Sequence, residues 1–97
     1  MESLTIHLQE GDRKGMAYIG QPDQPNAAMT FTKAGTELMI IDHTEVEDAL
    51  RGQQVGRKLL DRLVQLARER NLKVLPLCPF ARSVFQKDES IQDVLRK

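Results

Sequence analysis

The chain has 97 residues, of which 40% are hydrophobic and 29% are charged, with 14 basic and 14 acidic side chains. This length fits one domain with a small core, and we expect that domain to span residues 1–97. A single cysteine excludes an internal disulfide and a Cys-rich zinc site. No apolar run approaches the roughly 20 residues of a membrane span, and the N-terminal residues lack the apolar stretch of a secretory signal. We therefore expect a cytoplasmic protein without a membrane partner.

The balanced total charge hides a difference between the two halves of the sequence. Residues 1–50 carry three basic and nine acidic side chains, a net charge of −6, whereas residues 51–97 carry eleven basic and five acidic ones, a net charge of +6. Such a split is typical of a domain that binds a partner of one sign on one face. It equally fits two halves that neutralise each other within the fold. The zero total argues against general nucleic-acid binding, so we predict no nucleic-acid partner.

The first half of the sequence has the alternating apolar and polar residues of β-strands. Residues 4–8 predict a first strand, and the glycine-flanked residues 10–15 predict a turn. Residues 16–19 predict a second strand that pairs antiparallel with the first. The two prolines within residues 20–26 predict a loop. Residues 28–33 then predict a third strand.

A fourth strand follows, and its composition differs from that of the first three. Residues 38–41, Leu-Met-Ile-Ile, are apolar on both faces, which predicts a central strand covered on both sides. The strand runs on through residues 42–46. The first half is therefore an antiparallel meander whose last strand is the most buried.

The second half begins with a long amphipathic helix that ends near Asn71. The apolar residues that recur at the spacing of one helical face are Val55, Leu59, Leu60, Leu63, Val64 and Ala67. Residues 73–78 predict a short strand, which Pro76 leaves open on one side. Pro79 suits the first turn of a second helix.

The remaining residues predict two short helices. Phe80, Val84 and Phe85 form the apolar side of the first, and Phe80, Phe85 and Leu77 are expected in the core. Ile91, Val94 and Leu95 mark the second, with Ser90 as a candidate cap. The element order is then β-β-β-β-α-β-α-α, an α+β or mixed α/β layer with a right-handed crossover.

Residues 50–60 join the buried strand to the long helix and carry the strongest indication of function. They bring Gly52, Gly56 and the basic Arg51, Arg57 and Lys58 to a helix N-terminus, where free N–H groups and the helix dipole favour a phosphate or pyrophosphate. The glycine spacing fits neither the Walker pattern nor the dinucleotide-binding pattern. From spacing alone, glycines that merely shape a strand-to-helix turn explain the segment equally well.

Residues 51–60, Arg-Gly-Gln-Gln-Val-Gly-Arg-Lys-Leu-Leu, resemble the acetyl-CoA signature of the GNAT superfamily of N-acetyltransferases, Arg/Gln-x-x-Gly-x-Gly/Ala. The residues at 43, 44 and 46, the Ala-Arg-Glu at 67–69 and the Lys-Val-Leu-Pro-Leu-Cys-Pro-Phe at 73–80 are similar to the compact single-domain branch of this superfamily. The resemblance covers nearly the whole chain. Gln54 is a departure, since it stands where the family usually has its first motif glycine, and its side chain is expected to crowd the pyrophosphate or tilt the loop.

The resemblance implies a GNAT-like fold in which the fourth and fifth strands splay apart around acetyl-CoA or CoA. The pantetheine arm would hydrogen-bond to the fourth strand, and the diphosphate would sit on the amides of residues 52–57, near the side chains of Arg51, Arg57 and Lys58. The thioester would point toward residues 41–46 and 76–80. The cofactor-binding residues implied in this way are His43, Thr44, Val46, Arg51, Gly52, Gln53, Gln54, Val55, Gly56, Arg57, Cys78 and Phe80.

Cys78 and His43 are the candidate catalytic residues, because the implied fold places both near the thioester. Histidine titrates near neutrality, so His43 can deprotonate an ammonium acceptor. Cys78 can accept an acyl group as a thiolate or protonate the leaving thiol. The alternatives are that Cys78 is a small buried residue on a strand and that His43 is a hydrogen-bonded residue at a strand end. His7 is expected in solvent, and no metal site is expected.

These observations predict an N-acetyltransferase that moves an acetyl group from acetyl-CoA to a primary amine, either a small polyamine or a protein lysine. Because residues 10–27 leave room only for a turn, a strand and a loop, the acceptor site should be shallow and open or completed by another subunit. We expect a monomer or weak homodimer. Glu45, Glu47 and Asp48 either steer a cationic amine or form a solvated acidic surface. The alternative functions are a non-catalytic CoA- or acyl-CoA-binding module and an interaction module without cofactor.

Overall fold

A computed structural model describes residues 5–96 of the chain. Its elements, in chain order, are β1 (His7–Glu10), β2 (Lys14–Gln21), β3 (Gln24–Ala34), β4 (Leu38–Val46), a 3₁₀ turn (Asp48–Leu50), α1 (Val55–Arg70), β5 (Lys73–Pro76), α2 (Pro79–Lys87) and a C-terminal 3₁₀ segment (Glu89–Val94). The predicted order is confirmed, except that the last helix is a 3₁₀ segment. Within residues 5–96, no helix has the length and apolar composition that crossing a bilayer requires.

All five of these strands form one sheet in the order β1-β2-β3-β4-β5. Strands β1 to β4 are antiparallel neighbours, as the meander predicts. Strand β5 returns after α1 and pairs with β4 in parallel. On its other side β5 meets the C-terminal segment through a bridge between Val74 and Leu95.

The core lies between α1 and one face of the sheet. Every residue of the predicted apolar face of α1 is buried, and Leu66 joins them although the pattern did not include it. From the strands, the most deeply buried side chains, each no more than 1% exposed, are Ala17, Met29, Phe31, Met39, Ile41 and Val74. Because side chains alternate along a strand, the residues between these core positions point to the opposite face of the sheet.

The prediction that residues 38–41 are covered on both sides is wrong. Met39 and Ile41 are buried, but Leu38 and Ile40 are only partly so. The buried residues of α1 and α2 belong to one cluster with Met39 and Ile41. Strand β4 is central in the sheet, yet only one of its faces meets the helices.

The predicted loop over residues 20–26 is also wrong, because β2 and β3 continue into a tight hairpin with only Pro22 and Asp23 between them. Gly20 makes this possible with a φ of +98°, a conformation open to glycine. A register shift at Gly20 pairs it with Pro25. The second proline therefore sits beside a bulge, where its missing N–H costs little.

The first strand begins later than residues 4–8 predict, since β1 runs from His7 to Glu10. Leu4 lies outside the described residues. Thr5 and His7 are exposed whereas Ile6 and Leu8 are partly buried, so the alternation is as predicted although the bounds are not. The exposed ring of His7 lies 5.3 Å from that of Tyr18.

The C-terminal third confirms the local signals and corrects the packing. Asn71 ends α1 in the left-handed conformation, and Pro79 is the first residue of α2. Strand β5 ends at Pro76, so Cys78 precedes α2 rather than lying on a strand.

Two further expectations for this region are wrong. The cap of the last segment is Asp88, whose Oδ1 accepts from the backbone N–H of Ser90 at 2.9 Å. Of the three side chains expected in the core, Phe85 is buried, but Leu77 is 49% and Phe80 is 38% exposed. Both lie near the point where the chain leaves β5 and enters α2.

Glu10 connects three elements across the sheet edge. Its carboxylate accepts hydrogen bonds from Arg70 at the end of α1 and, at 2.8 Å, from Lys33 Nζ on β3. The guanidinium of Arg70, and then the Lys33 ammonium, lower the pKa of Glu10 from 4.5 to about 2. Of these two ion pairs, the one with Arg70 joins the acidic first half of the sequence to the basic second half.

Replacing Glu10 with glutamine is expected to lower the free energy of unfolding at neutral pH by about 1 kcal/mol. A carboxylate whose pKa is lowered by folding stabilises the protein above its unfolded pKa, here 4.5, and loses that effect as the pH falls toward 2. The E10Q variant should therefore lose less stability than the parent over this range, as measured by urea unfolding. Glu37→Gln is the control, because residues 5–96 offer its carboxylate no ion pair. Identical pH profiles for the parent and E10Q would contradict the assignment.

Candidate functional site

Strands β4 and β5 separate after four paired positions. Ile41 and Pro76 form the last pair of the parallel ladder. The carbonyl oxygen of Ile41 then accepts hydrogen bonds from two successive N–H groups, those of Leu77 at 3.0 Å and Cys78 at 3.1 Å. Beyond this point β4 continues to Val46 while the other chain segment turns into α2. The splayed cleft between the fourth and fifth strands is confirmed.

A cavity of about 430 Å³, the β4/β5 cavity, occupies this cleft. It is lined by the end of β4, the turn before α1 and the start of α2, namely by His43, Thr44, Val46, Leu50, Arg51, Gly52, Gln54, Val55, Gly56, Cys78, Pro79 and Phe80. Of the predicted cofactor-binding residues, all but Gln53 and Arg57 are in its wall. Leu50 and Pro79 also line the cavity but were not among the predicted cofactor-binding residues. Their side chains are apolar and have no reactive group that would single them out in the sequence.

The turn that closes one end of the cavity contains two residues in left-handed conformations. Gly52 has a φ of +85°, and Gln54, the residue before α1, has φ 58° and ψ 32°. Gln54 therefore occupies a position that suits glycine, and the left-handed backbone costs it roughly 1 kcal/mol. Its side chain makes no capping hydrogen bond to α1.

The backbone of residues 52–57 presents six successive N–H groups for which residues 5–96 provide no hydrogen-bond acceptor. The first helical bond of α1 runs from the N–H of Lys58 to the carbonyl of Gln54, at 3.1 Å. Free N–H groups at the positive end of a helix attract anions. This end of the β4/β5 cavity can therefore hold a phosphate or diphosphate.

The basic side chains around the turn are placed differently from one another. Arg51 lines the cavity and also pairs with Asp48 at 3.1 Å, where both are well exposed. Arg57 pairs with Asp61 at 2.8 Å and with Asp88 at 2.5 Å, which raises its pKa. Its guanidinium thus ties α1 to the C-terminal segment, and Arg51 is the basic side chain on the cavity wall.

The two candidate catalytic side chains lie in different environments. Cys78 is buried, and its Sγ lies 3.0 Å from Thr44 Oγ1, at a distance where either atom can donate a hydrogen bond. The ring of His43 is 65% exposed, with Nε2 3.1 Å from Glu45 Oε1. Since neighbours on a strand point to opposite faces, the His43 ring and the Thr44 hydroxyl lie on opposite sides of β4.

The partnership between Thr44 and Cys78 was not anticipated from the sequence. The two residues are 34 positions apart, so no local spacing joins them. Strand alternation was no guide to it, because alternation continued from the buried Ile41 would place His43, not Thr44, on the core side of β4. The extra residue Asp42 in β4 reverses this order.

Gly56 is needed for a close contact rather than for an unusual φ. A Cβ atom at this position would lie 2.9 Å from Cζ and 3.0 Å from Cε2 of Phe80. The Phe80 ring thus covers the first turn of α1 and forms part of the cavity wall. This contact fixes the start of α1 against the start of α2.

The contact can be tested by a double-mutant cycle of Gly56→Ala and Phe80→Ala. With the ring removed, G56A should raise the free energy of unfolding by up to about 1 kcal/mol, because alanine is favoured over glycine in a helix. With Phe80 present, the same substitution should raise the free energy of unfolding by a smaller amount or lower it, because the ring must move to make room for the new Cβ. Urea unfolding of the four proteins measures the coupling. Additive effects would contradict the contact.

Comparisons with known proteins find a matching family model and several similar solved structures. Residues 16–94 match the model described as GCN5-related N-acetyl-transferase. An NMR solution structure of a GCN5-like protein from Staphylococcus aureus, assigned as an N-acetyltransferase, is 40% identical with a TM-score of 0.73, covering 93% of this chain and 87% of that one. The crystal structure of ribosomal-protein-alanine N-acetyltransferase from Brucella melitensis biovar Abortus 2308 is similar in fold, at 18% identity and a TM-score of 0.64, over 79% of this chain and 62% of that one. Comparison with curated proteins finds no match.

Proposed function

The chain belongs to the GCN5-related N-acetyltransferase family, and from this premise we propose that it transfers an acetyl group from acetyl-CoA to a primary amine. The observation that carries the proposal is the β4/β5 cavity, one end of which presents six N–H groups left without an acceptor by residues 5–96. A small polyamine or a protein lysine as acceptor, a monomer or weak homodimer, and a cytoplasmic location stay predictions.

The turn before α1 fits the diphosphate of CoA. The amides of residues 52–57 supply donors for its oxygens, and Arg51 supplies a positive side chain beside them. Gly52 has no side chain to block the approach, and a Cβ there would meet nothing within 4 Å. Gln54 holds the left-handed position without closing the cavity of about 430 Å³.

The exposed edge of β4 fits the pantetheine arm. After Ile41, β4 has no partner in β5, so residues 5–96 leave backbone N–H and C=O groups of residues 42–46 without a partner on that side. A sheet edge of this kind pairs readily with other amide groups. Pantetheine carries amides, and an arm paired with β4 would run from the diphosphate site toward Cys78.

Bound acetyl-CoA would supply an acetyl thioester. The neutral amine nitrogen forms a bond to the acetyl carbon, the bond from that carbon to sulfur breaks, and the amine gives up one proton while the sulfur ends protonated. Cys78, held by Thr44 at 3.0 Å, is the group we assign to hold the proton for the departing sulfur. His43, beside Glu45 on the other side of β4, is the candidate base for the amine.

A non-catalytic CoA- or acyl-CoA-binding domain is the second candidate function. It is favoured by Gln54, which stands at a motif glycine position, and by Cys78, which is only 3% exposed. Such a domain would bind acetyl-CoA like an enzyme but would not acetylate any amine. Turnover with a defined amine therefore separates the two functions, whereas binding does not.

The diphosphate site is tested by a matched pair of glycine variants. Gly52 and Gly35 both have positive φ, +85° and +65°, and a Cβ at either would meet nothing within 4 Å. Gly52→Ala and Gly35→Ala should therefore lower the stability of the free protein similarly, by roughly 1 kcal/mol. Only G52A lies at the cavity, so only this variant should weaken stabilisation by acetyl-CoA.

For the parent, acetyl-CoA at about 100 times its Kd should add about 2.7 kcal/mol, and each kcal/mol raises the Tm of such a domain by roughly 4–8 °C. Thermal unfolding with and without ligand measures the shift. Absence of any shift in the parent at millimolar acetyl-CoA, or an equal loss in both glycine variants, would contradict the site.

The role of Cys78 is tested by substitution with alanine. Because the thiol is assigned to proton transfer rather than to binding, Cys78→Ala should keep the acetyl-CoA thermal shift while kcat falls about 100-fold or more. Thr44→Val removes the partner hydroxyl and should give a smaller decrease. Release of free CoA in the presence of a primary amine measures turnover. A C78A variant as fast as the parent would remove Cys78 from the mechanism.

A further inference from the structure

A second cavity, of about 580 Å³, lies on the sheet face that α1 does not cover. We call it the open-face cavity. Its wall includes side chains from four strands or their turns, namely Gln9, Lys14, Met16, Thr30, Thr32 and Asp42. None of these takes part in the β4/β5 cavity.

The strand register brings these residues together. Met16 on β2 lies opposite Gln9 on β1 and opposite Thr30 on β3. Two residues away along the same pair of strands, Lys14 on β2 lies opposite Thr32 on β3. The Thr32 hydroxyl donates a hydrogen bond to Asp42 Oδ2 at 2.7 Å. The cavity therefore spans β1 to β4, with Lys14 toward one side and Asp42 toward the other.

A β-bulge places Asp42 next to the cleft. Thr30 pairs with His43 and Phe31 pairs with Ile41, so Asp42 is the extra residue of β4. It directly follows Ile41, whose carbonyl marks the end of the β4/β5 ladder. Asp42 thus stands where β4 and β5 separate, between the open-face cavity and the β4/β5 cavity.

The charged groups of the open-face cavity are one carboxylate and one ammonium. Both Asp42 and Lys14 are exposed, and within residues 5–96 neither forms an ion pair. Their strands are separated by one other strand, so their backbones lie roughly 10 Å apart. A ligand with a cation at one end and an anion at the other matches this arrangement.

We propose that the open-face cavity is the acceptor site and that it takes a primary amine carrying an anionic group at its far end. The inference rests on the proposed acetyl transfer. Asp42 binds the ammonium beside the cleft, and Lys14 binds the anion. The ammonium loses one proton to the candidate base, His43, before its nitrogen forms the bond to the acetyl carbon. A diamine would place its second positive charge against Lys14, so the proposal disfavours a polyamine acceptor.

Three amines of equal chain length test the proposal, because they differ only at the far end: 5-aminopentanoate with a carboxylate, pentylamine with a methyl group, and cadaverine with a second ammonium. The kcat/KM for acetylation should be highest for 5-aminopentanoate, about tenfold above cadaverine, with pentylamine between them. Equal values, or the reverse order, would overturn the inference while leaving the acetyltransferase function standing.

Variants then assign the preference to residues. Lys14→Gln should bring the three kcat/KM values together, and Lys14→Glu should reverse their order. Arg13→Gln removes a neighbouring positive charge outside the cavity wall and should keep the preference. Asp42→Asn should lower kcat/KM for all three amines about tenfold without changing the acetyl-CoA thermal shift. A preference that survives K14Q would contradict the assignment.

Binding without turnover is measured separately, so that failure of the enzyme function leaves the cavity testable. Titration of ¹⁵N-labelled protein with 5-aminopentanoate should shift the backbone amides of Met16, Thr30 and Asp42 in a saturable way. Cadaverine should shift them less, and K14Q should remove the difference. If no amine is acetylated but these shifts occur, the cavity is an amine-binding site and the acetyltransferase function fails. Absence of saturable shifts would overturn the site itself.

Discussion

The carbonyl group of Ile41 marks the point at which β4 and β5 separate, and the β4/β5 cavity depends on that separation. It accepts hydrogen bonds from the N–H groups of both Leu77 and Cys78, and the β4/β5 ladder ends there. Within residues 5–96 the edge of β4 beyond it has no strand partner, and the chain that leaves β5 enters α2 at Pro79. Every feature of the β4/β5 cavity depends on this separation: the free edge, the contact between Cys78 and Thr44, and the space in front of α1.

A second set of contacts keeps the two walls of the cavity in place. The ring of Phe80 lies against Gly56 at the start of α1, and Arg57 reaches Asp88 at the end of α2. The first contact joins the starts of the two helices at the cavity, and the second joins the first turn of α1 to the C-terminal end of α2. The left-handed turn at Gly52 and Gln54 is thereby held against a fixed neighbour, which favours a preformed anion site over one that orders on binding.

The sequence was informative wherever a signal is local. The apolar face of α1, its end at Asn71 and the start of α2 at Pro79 follow from residues within one or two turns. The order of strands and the motif at residues 51–60 likewise led to the right fold and to most of the cavity wall. These features depend on backbone propensity and spacing, which neighbouring residues largely determine.

The features that could not be predicted from the sequence depend on contacts between residues far apart in the chain, or on which sheet face the helices cover. Leu38 and Ile40 are residue types that are usually buried, but they are only partly buried because, within residues 5–96, the helices pack on one face of the sheet. No local sequence pattern shows which face of the sheet the helices leave open. The hairpin at Pro22 depends on a bulge at Gly20, whereas the two prolines of this segment are typical of a loop and led to that prediction. The pair of Arg57 and Asp88 joins residues 31 positions apart, and such contacts have no periodicity.

The most direct test of the account is the ¹⁵N–¹H spectrum of the protein during titration with CoA and, separately, with pantetheine, which lacks the diphosphate. CoA should shift the amides of residues 52–57 and of residues 42–46, because the diphosphate binds the former and the pantetheine arm pairs with the latter. Pantetheine should shift residues 42–46 alone. If CoA leaves residues 52–57 unshifted, or if both ligands shift the same residues elsewhere, the amides before α1 do not bind the diphosphate and the account is wrong.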